Sequence, residues 1–107
     1  MLDDASATAG TTYGMYVYGT GVNVKNNIVH ITRGGTGTKY CLYYTTTGVA
    51  TSNNNNLYMN ASAGTNGVGY SNAGYTTLAN WQAANSLLYD QQSVSLDPVY
   101  ANPSAGD

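Results

Sequence analysis

The sequence predicts an all-β chain whose strands stack in successive parallel coils, and two observations carry this prediction. The first is a pair of similar segments, GMYVYGTGVNVKNNIV at 14–29 and CLYYTTTGVATSNNNNLY at 41–58, each of which combines short strand-like runs with a closing run of asparagines. The second is a fixed offset of 27 residues, which separates Tyr16 from Tyr43 and Tyr43 from Tyr70. A period between about 20 and 50 residues is typical of solenoids and other stacked arrays.

Composition narrows the classes of function. The chain has 107 residues, which suits one small domain. Three basic residues and a formal net charge of −2 offer little attraction to a phosphate backbone, so no nucleic-acid partner is expected. No segment approaches the roughly 18 apolar residues that a membrane span requires, so no membrane insertion is expected. The single Cys41 permits no internal disulfide and is interpreted as a small buried side chain.

Strand patterns begin near Tyr13, and residues 1–12 are predicted to form a flexible N-terminal segment. Short runs rich in Tyr, Val and Ile (MYVY, VNV, IVHI, CLYY and NLYM) are separated by turn sequences such as GTG and RGGTGTK. Alternation places Val22 and Val24 on one face of their strand and the polar residues between them on the other. Met15, Val22 and Leu42 are expected to point inward.

The asparagines that close each phrase predict a shared corner. Asn26 and Asn27 align with Asn53 and Asn54 at the 27-residue offset. Asn tolerates the left-handed backbone region, and its amide can bond to the backbone or to another Asn in the next coil. The second corner is expected to be longer by roughly two residues. A disordered polar tract is the alternative interpretation of the four consecutive asparagines.

A helical pattern follows Tyr70 and predicts one short helix near residues 76–85. Thr76 or Thr77 is the candidate N-cap, and Asn85 is the candidate stop. Apolar residues recur between them at three-residue spacing, namely Leu78, Trp81 and Ala84. This apolar stripe is expected to lie against the flank of the stack or over a coil end, with Trp81 covering apolar surface.

Strand character resumes in SVSLDPVYANP. Val94 and Leu96 alternate and are expected to point inward, and Asp97 with Pro98 is expected to form a corner.

The order of these phrases resembles the right-handed parallel β-helix modules, pectin-lyase-like in fold, of large secreted or cell-surface bacterial proteins. The residues that carry the resemblance are Asn26, Asn27, Ile28, Tyr75, Leu78, Trp81, Gln82, Ala83, Ser93, Ser95, Asp97, Pro98, Tyr100, Asn102, Pro103, Gly106 and Asp107. The resemblance implies a right-handed parallel β-helix solenoid of about four coils over residues 13–107. It also implies a fragment of a longer chain and an extracellular or cell-surface location.

Pectate lyases and polygalacturonases share the fold that the resemblance implies, and they work with clustered acids. This chain has no Glu, and none of its aspartates recurs at the 27-residue period; they are Asp3, Asp4, Asp90, Asp97 and Asp107. We therefore expect no catalytic residue, cofactor site or metal site. Asp97 is interpreted as a turn cap, His30 as a solvent-facing strand residue rather than a general base, and Arg33 as a loop residue rather than an anion contact.

The 11 tyrosines, in a chain without Phe, carry the strongest remaining functional signal. Exposed tyrosine ladders could stack on sugar faces, but packing within the stack or against neighbouring molecules is the favoured interpretation.

Two hypotheses follow. The first is a noncatalytic structural module of an extracellular or cell-surface protein: a stalk, an adhesin segment or a self-assembling fibre unit. It would associate end to end with identical copies or with flanking coils of the same polypeptide. The alternative is a carbohydrate-binding or polysaccharide-degrading β-helix whose active-site coils lie outside this fragment.

Overall fold

The computed structural model describes residues 9–45 and 48–101, which form three small sheets and two short helical segments. The strands are β1 Thr12–Val17, β2 Val22–Lys25, β3 Ile28–Ile31, β4 Lys39–Tyr44, β5 Val49–Asn53, β6 Asn56–Met59, β7 Asn66–Ser71 and β8 Ala73–Tyr75. The helical segments are α1 Leu78–Ala83 and a 3-10 helix Asn85–Leu87. One sheet has the strand order β1-β4-β7-β8, the second pairs β2 with β5, and the third pairs β3 with β6.

The parallel pairs adopt the register that the tyrosine alignment predicts. Tyr16 lies opposite Tyr43, and Tyr43 lies opposite Tyr70. In the second sheet the register shifts after Val22, so that Asn23 faces Thr51 at an offset of 28 residues. The predicted lengthening of the second asparagine corner by about two residues is therefore wrong, and the register accommodates one extra residue.

The asparagine corners adopt the backbone conformation expected of them. Asn26 and Asn54 have φ angles of 60° and 56° and occupy equivalent places in the two corners. Asn tolerates this left-handed region better than most residues because its short polar side chain can bond locally. The corner following β5 is thus ordered, and its interpretation as a disordered polar tract is wrong.

The prediction of a right-handed parallel β-helix solenoid of about four coils is wrong. Two of the three sheets contain two strands each, and β8 runs antiparallel to β7 in the third. The reversal occurs at Asn72, whose φ of 61° allows Ser71 to pair directly with Ala73. The chain is a small β-rich domain with sheets of two to four strands, mixed orientation and one short α-helix.

The core lies among the three sheets and α1. Leu42 is fully buried, as expected, while Met15 and Val22 are partly buried against the core. Cys41 is also fully buried, which confirms its interpretation as a small core side chain. The buried apolar cluster consists of Val17, Val24, Val29, Ile31, Cys41, Leu42, Tyr44, Val49, Leu57, Val68, Trp81 and Tyr89.

Helix α1 forms within the predicted range but is shorter. Thr77 is its N-cap and accepts a hydrogen bond from the Asn80 N–H at 3.2 Å. The helix ends before Asn85 because Ala84 already has an extended backbone. Its one fully buried residue, Trp81, packs so closely on Gly69 that a Cβ added there would lie 2.5 Å from the indole ring. The absence of a side chain at Gly69 therefore lets α1 approach β7.

The C-terminal segment, residues 73–96, covers one side of the sheets, and we call this side the closed end. β8 pairs with β7, the Asp90 N–H donates to the Ser52 carbonyl of β5 at 2.7 Å, and the Leu57 N–H of β6 donates to the Val94 carbonyl at 2.9 Å. On the opposite side, no strand of the described residues pairs with the outer edges of β1, β2 and β3. We call this side the open end.

The predicted inward orientation of Val94 and Leu96 is wrong. Their side chains are 44% and 62% exposed. Val94 forms a parallel bridge to Asn56 at the edge of β6, and no further strand of the described residues covers its other side. These two side chains therefore face solvent.

Some predictions concern residues that the structure does not describe. Asp3, Asp4 and the terminal phrase from Asn102 to Asp107 lie outside the described residues. The flexible segment predicted for residues 1–12 and the single module predicted for 13–107 remain predictions, although β1 begins at Thr12. Neither helical segment of the described residues has the length and apolar character needed to cross a membrane.

Candidate functional site: a buried polar cluster and an exposed tyrosine row

The most concentrated group of polar side chains lies inside the closed end. It surrounds the carboxylate of Asp90, and we call it the polar cluster; its members are Tyr44, Ser52, Asn55, Trp81, Asp90 and Ser93. β4 and β5 supply Tyr44 and Ser52, the corner after β5 supplies Asn55, and the C-terminal segment supplies the other three. All six residues are buried.

Four donors converge on the two oxygens of Asp90. Oδ2 accepts from the Ser52 hydroxyl at 2.6 Å and from Trp81 Nε1 at 2.8 Å. Oδ1 accepts from Asn55 Nδ2 at 2.8 Å and from the Ser93 hydroxyl at 2.5 Å. A buried carboxylate is tolerated when hydrogen bonds replace its hydration, and these four bonds do so. The cluster therefore consumes the acceptor capacity of Asp90 within the fold.

The hydroxyl of Tyr44 extends the cluster. Its oxygen lies 2.7 Å from Ser52 Oγ, and because Ser52 gives its one proton to Asp90, Tyr44 is the donor of this bond. Burial raises the pKa of Tyr44 well above its ordinary value; the hydrogen bond to Ser52 opposes that shift, and the nearby Asp90 charge adds to it. The phenol therefore stays protonated, as its role as a donor requires.

Asn55 joins the cluster to the open end. Its Nδ2 also donates to the Val24 carbonyl at 3.1 Å, and its Oδ1 accepts from the Asn27 backbone N–H at 3.0 Å and from Asn27 Nδ2 at 3.1 Å. This is the predicted bond between asparagines of successive corners, although Asn27 pairs with Asn55 rather than with Asn54. One amide thus connects the corner after β2 to the carboxylate of Asp90.

Lys39 is a second buried charge, at the start of β4. It is fully buried, and its Nζ donates to the carbonyl oxygens of Gly35, Gly37 and Ala63 at 2.8, 3.0 and 2.9 Å. Burial lowers the pKa of Lys39, and the positive charge of Arg33 lowers it further. The ammonium binds two loops together, one before β4 and one before β7.

Three further candidates from the sequence are His30, Arg33 and Asp97. His30 is buried and packs between Tyr58 and Tyr100, with ring centroids at 4.9 and 5.7 Å, so the prediction of a solvent-facing histidine is wrong. The Arg33 guanidinium donates to the Gly10 carbonyl and to the Thr12 hydroxyl, as expected of a loop residue. Asp97 Oδ1 accepts from the Val99 N–H at 2.9 Å, which confirms its interpretation as a turn cap.

Tyrosines form a row across the sheet that contains β1, β4 and β7. The rings of Tyr16 and Tyr43 are 5.5 Å apart and 6° from parallel, and those of Tyr43 and Tyr70 are 4.5 Å apart and 5° from parallel. Tyr13 lies beside the row, 4.2 Å from the Tyr43 ring. Stacking uses the ring faces inside the row, so the outer face of Tyr16, which is 59% exposed, is the one directed toward the open end.

A groove of about 410 Å³ lies among the end of β6, β7 and the start of α1. Its lining consists of Met59, Ala61, Asn66, Val68, Thr76, Thr77, Leu78 and Ser95. Two of its polar groups already have partners, since Thr77 caps α1 and the Asn66 amide donates to the Ala61 and Ala63 carbonyls. Within residues 9–45 and 48–101 no three His, Cys, Asp or Glu side chains come together as metal ligands would.

Comparison with known proteins adds no relative: no family model, no curated protein and no solved structure matches this chain. The resemblance to pectin-lyase-like β-helix modules is therefore wrong, because neither the sheet topology nor any family match supports it. The secreted, adhesive and filament-forming character that the resemblance implied loses its basis with it.

Sequence reasoning missed the polar cluster and the buried lysine. Asp90 stands in the phrase LLYDQQS, with no charged residue near it in the sequence, and Lys39 reads as an ordinary turn residue. One signal was available for Asp90, because it follows Trp81 by only nine residues and a buried indole needs an acceptor. No comparable signal exists for Lys39, since its three acceptors are backbone carbonyls.

Proposed function

We propose that this chain is a noncatalytic structural module. The observation that carries the proposal is the position of three of its reactive groups: the Asp90 carboxylate, the Lys39 ammonium and the Cys41 thiol are all fully buried. Catalytic acids, bases and nucleophiles must reach a substrate, whereas these three groups bind parts of the fold to each other or fill the core.

The chemistry of the three groups supports the same role. Asp90 accepts four hydrogen bonds and Lys39 donates to three carbonyl oxygens, so both are occupied by neighbouring parts of the chain. Burial raises the pKa of Cys41 to about 12, which keeps the thiol protonated and a poor nucleophile. An extracellular or cell-surface location for such a module remains a prediction.

Turnover of polysaccharides tests this proposal. The folded chain is incubated with acidic and neutral polysaccharides, and new reducing ends and unsaturated uronides are measured against the heat-unfolded chain. We expect no difference between the two samples. Turnover by the folded chain that falls in an Asp97→Ala variant would overturn the proposal, because Asp97 is an exposed carboxylate within the described residues.

Carbohydrate binding without catalysis is the second candidate, and the exposed tyrosines of the open end favour it. Tyr18 is 79% exposed, and the outer ring face of Tyr16 is available for stacking on a sugar. Aromatic side chains with a polar tip suit such half-hydrated contacts. A glycan array, probed with the chain and with a Tyr16→Ala, Tyr18→Ala variant, tests it. Binding that the double variant loses supports this candidate, and no binding to any glycan rejects it.

A further inference from the structure

We propose that the open end associates with the open end of a second copy of this chain, with β1 antiparallel to its counterpart across a two-fold axis. The inference starts from the edges of the sheets. β1, β2 and β3 each have a strand partner on one side, and no strand of the described residues pairs with the other side. Such edges present main-chain donors and acceptors to another strand.

β1 lacks the features by which proteins protect an edge strand. Natural edges are blocked by charged side chains, prolines, bulges or short length. β1 has six residues, TYGMYV, with no charge and no proline. Lys25, at the end of β2, is the one Lys, Arg, Asp or Glu among the three edge strands. Electrostatic repulsion between two open ends is therefore small.

The sequence of β1 is suited to pairing with itself. A two-fold axis between Gly14 and Met15, the midpoint of the strand, places Tyr13 of one copy opposite Tyr16 of the other. Directly opposed residues of an antiparallel pair share a face of the sheet, and the Tyr13 and Tyr16 rings lie on the same side of β1. Within one copy these two rings already lie 5.6 Å apart, beside Tyr43. The antiparallel register joins the two tyrosine groups into one, and aromatic cross-strand pairs are among those that stabilise sheets.

Both open ends are consumed in such a dimer, so assembly stops at two. Closed two-fold contacts use the same surface on both copies, whereas head-to-tail contacts require a second, complementary surface. The closed end cannot supply three free strand edges, because residues 73–96 already pair with β5, β6 and β7.

The size of the molecule permits an interface of ordinary area. The molecule measures 36 × 29 × 23 Å, so even its smallest face covers roughly 29 × 23 Å. Full contact between two such faces would bury on the order of 1,300 Å² in total, which lies within the range of about 1,200 to 2,000 Å² for specific interfaces.

Sedimentation equilibrium of the 107-residue chain, from low to high micromolar concentration, tests the inference. We expect a reversible monomer–dimer equilibrium. Tyr16→Lys places one positive charge from each copy at the interface. Their desolvation and mutual repulsion should raise the dimer dissociation constant by at least about tenfold. Tyr16→Phe keeps the ring and should leave it unchanged within about a factor of three. Leu96→Lys is the matched control, since Leu96 is 62% exposed at the closed end and Tyr16 is 59% exposed at the open end.

Several results would overturn the inference: a monomer at every concentration, oligomers larger than two, or equal sensitivity to Tyr16→Lys and Leu96→Lys. The inference rests on the proposed structural role, to which it adds a partner. The two can fail separately, because the sedimentation experiment measures mass without any substrate and the turnover experiment measures products without regard to mass.

Discussion

The open end and the closed end differ in how their strand edges are covered, although both are built from short parallel strands. At the open end the outer edges of β1, β2 and β3 have no strand partner among the described residues, and Tyr16, Tyr18 and Ile28 are exposed. At the closed end residues 73–96 cross the edges of three strands and bury Trp81 and Tyr89.

The difference shows how a chain with few charges can end a set of parallel strands. A covering segment must satisfy the main-chain groups of the edges and also be held in place. The Asp90 carboxylate holds the covering segment in place, because it accepts hydrogen bonds from β5, from the corner after β5 and from α1. Within residues 9–45 and 48–101 the open end has no equivalent of this covering segment, and for this reason we propose a partner for it.

The largest effect on this comparison is expected from Asp90→Ala. Four buried donors lose their acceptor, and we expect the free energy of unfolding to fall by roughly 4 kcal/mol. Urea unfolding followed by Trp81 fluorescence measures it. Asp97→Ala is the control: Asp97 is exposed and accepts one bond, so its loss should cost no more than about 1 kcal/mol. Equal losses in the two variants would show that the cluster does not hold the closed end.

Lys39→Met should have the next largest effect. The variant keeps the length of the side chain but leaves three carbonyl oxygens without their donor, and we expect a loss of about 2 kcal/mol. Chemical unfolding at neutral pH measures the change. Lys25→Met at an exposed position should stay within about 0.5 kcal/mol of the original chain. A Lys39→Met variant as stable as Lys25→Met would contradict the role of the buried ammonium.

Alkaline pH should destabilise the folded chain. Burial raises the pKa of Cys41 from 9.0 to about 12, and it raises the pKa of Tyr44 from 10.0. The unfolded chain therefore releases these protons first, so stability from Cys41 is complete below pH 9.0 and is lost as pH rises toward about 12. The slope approaches about 1.4 kcal/mol per pH unit for each fully titrating group.

Lys39 changes the free energy of unfolding in the opposite direction. Because its pKa is lowered in the folded chain, its contribution to stability rises with pH just below the ordinary lysine value of 10.5. Urea midpoints of the original chain and of Cys41→Ala, measured from neutral to alkaline pH, separate the contribution of Cys41 from those of the other titrating groups. The midpoint of Cys41→Ala should fall less steeply above pH 9.0. Parallel curves for the two proteins would contradict the assignment.

The smallest effect is expected at the open end itself. Ile28 is exposed, and Ile28→Ala, measured at concentrations too low for dimers, should change the free energy of unfolding by no more than about 0.5 kcal/mol. Val29, its neighbour in β3, is buried, and Val29→Ala should cost about 2 kcal/mol. Similar losses in the two variants would mean that Ile28 packs against the core.

Much of the local structure was predictable from the sequence. The parallel alignment of Tyr16, Tyr43 and Tyr70 follows from a period that is visible in the residues themselves. The N-cap at Thr77 and the left-handed corners at Asn26 and Asn54 follow from preferences of single residues. These features depend on neighbours in sequence or on a repeated pattern, which a sequence displays directly.

The buried groups were not predictable in the same way. His30 alternates between apolar neighbours, so a strand pattern places it outside, yet β3 buries three successive residues from Val29 to Ile31. Val94 and Leu96 show the inverse error, because alternation places them inside and the absence of a covering strand among the described residues leaves them exposed. In each case the burial of a strand face depends on what lies across it.

The sequence by itself determined strands β1 to β4 and β6, the alignment of Tyr16, Tyr43 and Tyr70, the asparagine corners and the short helix, since each is encoded by local preference or by periodicity. Tertiary structure alone decided that β8 turns back on β7 and that Asp90 accepts from residues up to 38 positions away. Contacts at that separation form only when the chain closes long loops, and their free energy depends on the simultaneous placement of every donor around one carboxylate. No pattern along the chain records such a placement, so the covering of one end and the exposure of the other emerge with the fold.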